Sequence, residues 1–184
     1  MESRKDKAKE LFLQGYNCTQ AVVLAFEDLL PPESRDQIVC MSSSMGGGMG
    51  RLREVCGCVS GMFLIAGLLY GYSGPEKGEI KAEHYARIQE LARRFEQANG
   101  SIVCRELLGL DVKRQSPVPE ARTEEYYRKR PCMDLAGMAA QILDDFIKEQ
   151  EQAGDDPEKQ SNTKKGDEIV SFFCYLSSKN PKLY

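Results

Sequence analysis

Apolar residues recur at helical spacing along most of this chain. Leu11, Gly15, Cys18, Val22, Phe26 and Leu29 follow one another at intervals of three and four, which predicts a helix over residues 4–29 that Pro31-Pro32 ends. A short helix is expected from Glu33 to Met41. The stretch Gly46-Gly47-Gly48-Met49-Gly50 then predicts a loop or a very close backbone approach, because so many residues without a Cβ offer no side chain to pack. From Val55 to Gly71 the chain is almost continuously apolar and reads as a buried central helix, with glycines at 57, 61, 67 and 71 letting neighbouring backbones come close. At about seventeen residues it only approaches the length of a bilayer span, and no second hydrophobic stretch supports a membrane protein.

Pro75 is expected to open the next helix as a first-turn proline, with Ile80, His84, Ile88, Leu91, Phe95 and Ala98 as its apolar stripe and Asn99-Gly100 as its end. Ser101 is expected to cap a short helix carrying Cys104, Leu107 and Leu108. Residues 111–130 contain Ser116-Pro117-Val118-Pro119 and many charges, and read as a surface excursion. A last long helix is expected from Pro131, with Cys132, Leu135, Ala139, Ile142 and Phe146 on one face. The pattern defines an all-α protein, a single bundle of about five to six helices around the glycine-bearing central one. The bundle is assigned to residues 1–150, and residues 151–184 to a polar linker and a short apolar tail, Ile169 to Leu176, that docks on the body or on a partner.

Composition narrows the function. With 25 Lys and Arg against 28 Asp and Glu among 184 residues, the net charge is −3, which provides no basic field for nucleic acid. The charged start, Met-Glu-Ser-Arg-Lys-Asp-Lys, lacks the apolar core of a signal peptide, so a cytoplasmic, reducing setting is expected. Against that background, seven cysteines and one histidine are the chemistry to explain. An odd count and long spacings argue against a disulfide framework. His84, on an apolar face, reads as a core residue, and Glu124-Glu125 and Asp144-Asp145 as solvated faces. The glycine loop lacks the Gly-Lys-Ser/Thr ending of a P-loop and follows no predicted strand, so nucleotide binding is not expected.

Cys18, Cys104 and Cys132 fall on the apolar stripes of three predicted helices, and Cys56 opens the most buried one, so all four can meet inside one bundle. Cys56, Cys104 and Cys132 also stand near predicted helix starts, where unpaired N–H groups and the helix dipole favour thiolate, whereas Cys18 lies within the first predicted helix and lacks that help. Either Cys56 or Cys132 is therefore the expected attacking thiol in any disulfide chemistry. Residues two apart on a helix point about 200° away from each other, so Cys56 and Cys58 share a site only if the helix has not begun at Cys56. Cys40 and Cys174 have no motif around them and read as incidental.

These residues carry a resemblance. Gly-Tyr-Asn-Cys at 15–18, the glycine loop at 46–50, Cys-Gly-Cys-Val-Ser-Gly at 56–61, Cys-Arg-Glu-Leu-Leu-Gly at 104–109 and Cys132 together resemble the C_GCAxxG_C_C family of small redox proteins, over roughly residues 5–150. Cys58 stands where the family pattern has alanine. A related domain occurs in a split-Soret type cytochrome, where its cysteines are associated with an iron–sulfur centre. The resemblance implies a thiol or cluster site at Cys18, Cys56, Cys104 and Cys132, with Cys58 as an alternate ligand, but no substrate. The absence of Cys-x-x-Cys-His argues against c-type haem.

Three readings follow. In the first, the four cysteines bind an iron–sulfur cluster, or zinc, for electron transfer, and Gly47, Gly48, Gly50 and Gly57 supply room and backbone N–H groups. In the second they act as a thiol–disulfide redox protein. In the third the chain is a helical interaction module with structural cysteines. The redox partner stays unnamed, and a homodimer is compatible with the sequence.

Overall fold

The computed structural model describes residues 3–154 of the chain. The expected all-α class is observed: the described residues contain no strand, and one isolated antiparallel bridge joins Val55 to Val103. The helices are α1 (Arg4–Leu13), α2 (Cys18–Ala25), α3 (Arg35–Ser42), α4 (Gly57–Tyr70), α5 (Gly78–Asn99), α6 (Cys104–Leu107), α7 (Glu124–Lys129) and α8 (Cys132–Gln152), with short 3₁₀ turns around α3. No described helix is long and apolar enough to cross a membrane.

The first correction to the sequence pattern lies at residues 14–17. The expected helix over 4–29 is two helices, because Gly15 takes a φ of +109° and Asn17 starts the chain afresh. The Asn17 side chain accepts hydrogen bonds from the N–H groups of Thr19 (2.9 Å) and Gln20 (3.0 Å), while Gln20 Oε1 accepts from the Asn17 N–H at 3.2 Å. This reciprocal cap overrides the apolar periodicity that runs through the break. As a result Cys18 is the first residue of a helix and not a mid-helix residue.

The core lies where α2 packs on α4 and α1, and α4 on α5, with Phe26, Met62, Ile65, Leu91, Phe95 and Leu143 fully buried. Two glycines of α4 permit that packing. A Cβ on Gly61 would stand 2.8 Å from Val22 Cβ, and one on Gly57 would stand 2.4 Å from Cys18 Sγ. Gly67 was expected to serve in the same way, but a Cβ there would meet nothing within 4 Å.

Other elements differ at their ends. Pro75 precedes α5 by three residues and is not its first turn, and Ile80 and Ala98, at the two ends of its stripe, are exposed. Val103 occupies the position before α6, and Ser101 acts one turn earlier by accepting the Val103 N–H at 2.9 Å. Residues 111–130 include α7 and are more than an excursion, as the site shows. By contacts the chain separates into residues 1–149 and a second unit from residue 150. Of the second unit only the last turn of α8 and the residues to Gly154 are described. The apolar tail and Cys174 lie outside the described residues.

Candidate functional site

Cys18, Cys56, Cys58, Cys104 and Cys132 all line one cavity of about 220 Å³. Five stretches of chain build it. Asn17 holds the start of α2 and thereby Cys18, and its Nδ2 donates to Ser43 O at 3.1 Å, tying that cap to the segment before the glycine loop. Cys56 precedes α4 with an extended backbone, φ −57° and ψ 133°, and Cys58 lies in the first turn. The helix has therefore not begun at Cys56, which is the condition under which both thiols can face one site.

A short backbone ladder sets Cys56 beside Cys104. Cys56 N–H donates to Ile102 O at 2.8 Å, Cys104 N–H to Glu54 O at 2.6 Å, and Arg105 N–H to Arg53 O at 3.2 Å. Cys132 begins α8 from the opposite side, where Leu135 N–H donates to Pro131 O at 2.9 Å.

The glycine loop closes the site by backbone approach. Gly47 and Gly48 take φ values of +67° and +69°, so the Gly46–Met49 stretch is a left-handed turn in place of a regular helix. Gly47 N–H reaches Cys18 Sγ at 3.5 Å, and a Cβ on Gly48 would stand 2.6 Å from Cys104 Cβ. Gly57 lies against Cys18 as described above. Of the four glycines expected at the site only Gly47 lines the cavity; Gly48 and Gly57 pack behind Cys104 and Cys18, and Gly50 has only Ser44 O near its Cβ direction.

Electrostatics reverse the expected order of the thiols. Cys18 is held down at about 6, chiefly by a hydrogen bond from Cys58, against the cost of burial, with the backbone N–H groups of Gly47, Cys18 and Thr19 helping. Cys58, as the donor to Cys18 and a neighbour of Cys56, is pushed up. The expectation that helix starts would lower Cys104 and Cys132 fails. Burial dominates at both: Cys104 rises despite the hydrogen bond from Arg53, and Cys132 is pushed up to about 12 by burial and by its fellow thiols. Cys18, and not Cys132, is the thiol marked out as thiolate near neutral pH.

The cavity also has a cationic lining that the sequence pattern did not single out. Arg51, Arg53, Arg122 and Arg130 line it with one carboxylate, Glu120. Arg130 pairs with Glu120 at 2.7 Å and Arg51 reaches it at 3.4 Å. Arg122 donates to the carbonyls of Phe12 (2.7 Å) and Tyr16 (2.9 Å) and lies over the Phe12 ring. The available signal was Arg51-x-Arg53 immediately after the glycine loop.

The remaining candidates fall elsewhere. All six described cysteines are free, and Cys40 is exposed and away from the cavity. His84 is half-buried, edge-on to Tyr72, and does not line the site. Glu124, Glu125 and Asp145 are exposed, while Asp144 pairs with Lys148 at 2.6 Å. Among the described residues, no three His, Cys, Asp or Glu side chains are grouped so as to hold a metal ion.

An all-α bundle with a thiol-lined cavity defines a class of cysteine-based proteins. Within it, this chain belongs to the family described as "Putative redox-active protein (C_GCAxxG_C_C)", which matches residues 16–146. No curated protein and no solved structure matches the chain.

Proposed function

We propose that this protein is an electron carrier in which Cys18, Cys56, Cys104 and Cys132 hold an iron–sulfur cluster, with Cys58 as an alternate ligand. The observation that carries this reading is that four cysteines from four separate stretches of chain line a single cavity. A dithiol site needs two sulfurs, and nothing in disulfide chemistry calls for the others. Soft thiolates fit the donor chemistry of both a cluster and zinc. Zinc needs its ligands to meet around one point, at about 2.3 Å for each sulfur. The cavity that the thiols line, about 220 Å³, offers room for a group larger than a single ion.

A cluster so bound would supply one-electron transfer. The chain's own residues would supply the rest: Gly47 N–H and the Arg53 guanidinium are already directed at ligand sulfurs, and such hydrogen bonds raise a cluster's potential. Free thiols of this kind suit a reducing, cytoplasmic setting.

Anaerobic reconstitution with iron and sulfide tests the proposal. Visible absorption and stoichiometric iron and sulfide are expected, with both lost in Cys56→Ser or Cys104→Ser and kept in Cys58→Ser. A colourless, iron-free product from a folded wild type would sink it.

The opposite displacement of two neighbouring thiols, Cys18 held down and Cys58 pushed up, favours a second reading. Here the Cys18 thiolate attacks a substrate disulfide, expelling one thiolate and forming a mixed disulfide. Cys58, losing its proton to solvent, then attacks Cys18 sulfur and releases the second substrate thiol. The substrate gains two electrons and the protein keeps a Cys18–Cys58 disulfide. Peptide mapping after mild oxidation would find that bond if this reading holds, and would find both thiols free if it does not.

A further inference from the structure

Arg53 is only 3 % exposed, yet its side-chain partners are all uncharged: Gln115 Oε1 accepts from Nε at 3.0 Å and from Nη2 at 2.5 Å, Gly47 O accepts from Nη1 at 3.5 Å, and Cys104 Sγ lies 3.6 Å from Nη1. Among the described residues no carboxylate reaches it. A buried guanidinium without an opposing charge is strongly unfavourable, because hydration is lost and neutral acceptors return only part of it. The backbone adds a second cost. Arg53 has a φ of +62°, and Arg51 and Met49 are at +70° and +61°, so three residues with a Cβ lie in the left-handed region within five positions. Each such residue is strained and persists where surrounding structure imposes it. The strained turn delivers Arg53 to the wall of the thiol cavity.

We infer that Arg53 is the fixed countercharge of this cavity, a positioning residue that makes it a site for a negatively charged, thiolate-bound group and raises the potential of that group. The inference rests on the cluster reading above and extends it to the residue that sets the charge. Four thiolates around iron and sulfide carry net negative charge, and reduction adds more. One electron enters from a reduced viologen mediator, which is oxidised in return, and no bond forms or breaks. The added charge is compensated by the buried cation at the Cys104 side, where low dielectric strengthens the interaction. Gln115 holds the guanidinium from the far side through a neutral oxygen, leaving its charge available to the cavity.

The test is spectroelectrochemical titration of the anaerobically reconstituted full chain as wild type, Arg53→Gln, Arg53→Lys and Gln115→Glu. Removing the charge in Arg53→Gln should disfavour reduction at least tenfold, which for one electron is 59 mV toward negative potential. Arg53→Lys, which keeps the charge, should restore most of that shift. Gln115→Glu leaves Arg53 in place but neutralises it from behind, so it should move the potential in the same direction even if Arg53→Gln fails to fold. A wild type that loads and variants that load but keep its potential would overturn the role of Arg53 while leaving the cluster reading intact. A folded wild type that takes up no iron or sulfide would overturn both.

Discussion

Cys18 shows how the setting of one sulfur decides its chemistry. It is buried, which alone would keep it protonated, yet a thiol hydrogen bond and several N–H groups at two chain turns favour its charged form more strongly. In the reduced, metal-free protein the ultraviolet absorbance of thiolate should therefore show a titration near pH 6, lost in Cys18→Ser and moved upward in Cys58→Ala, which removes the largest favourable contact. The sign of the stability effect follows. A thiol lowered from 9.0 to about 6 stabilises the folded state in full above pH 9, and loses that contribution as pH falls through 6. Cys132, pushed up to about 12, acts oppositely: the unfolded chain ionises it above pH 9 while the folded chain does not. Thermal denaturation of the metal-free protein should accordingly show stability rising from pH 6 toward 9 and falling beyond it. A profile flat across that range, with no thiolate step below pH 8, would show that Cys18 is an ordinary buried thiol.

Helix α4 carries the contact on which the cavity depends. A Cβ on Gly57 would stand 2.4 Å from Cys18 Sγ, 2.7 Å from Thr19 Oγ1 and 3.0 Å from the Met45 carbonyl, so Gly57→Ala forces α2 away from α4 or turns the Cys18 sulfur out of place. Urea denaturation should register a loss of about 1–3 kcal/mol, the usual cost of overpacking a core. Gly67→Ala on the same helix meets nothing within 4 Å and should instead gain about 0.5–1 kcal/mol from lower backbone entropy in the unfolded chain. Equal effects at the two positions would mean that glycine in α4 reports helix propensity alone. This pair also shows how far the sequence could be read at this scale. The apolar runs gave α4, α5 and α8 with small errors at their ends, because burial of a stripe is a local pattern. They could not tell Gly57 from Gly67, since the difference lies in what another helix brings against each. The break at Gly15 and Asn17 was present as a capping signal but was outweighed by apolar spacing that continues across it.

At the scale of the whole molecule, the question is what joins the chain around the cavity. The convergence of Cys18, Cys56, Cys104 and Cys132 was open to inference from stripes and helix starts, but not the distances, because tens of residues separate them and loop paths carry no periodic signal. The cationic wall was missed for a related reason: an arginine beside a glycine loop reads as surface until the turn is known to fold inward. The architecture now separates the two redox readings without reference to any substrate. A group bound to all four cysteines ties α2, the ladder at residues 53–56, α6 and the start of α8 into one unit, so binding energy becomes shared local stability. A Cys18–Cys58 disulfide links only α2 to α4. Hydrogen exchange followed by mass spectrometry, on protein reconstituted with iron and sulfide against the metal-free form, should thus show slower exchange together in peptides covering 17–20, 53–58, 102–107 and 131–135. Mildly oxidised protein should show it in the first two alone. Protection confined to α2 and α4 in the reconstituted protein would mean that Cys104 and Cys132 hold nothing, and that the dithiol pair is the working part of the cavity.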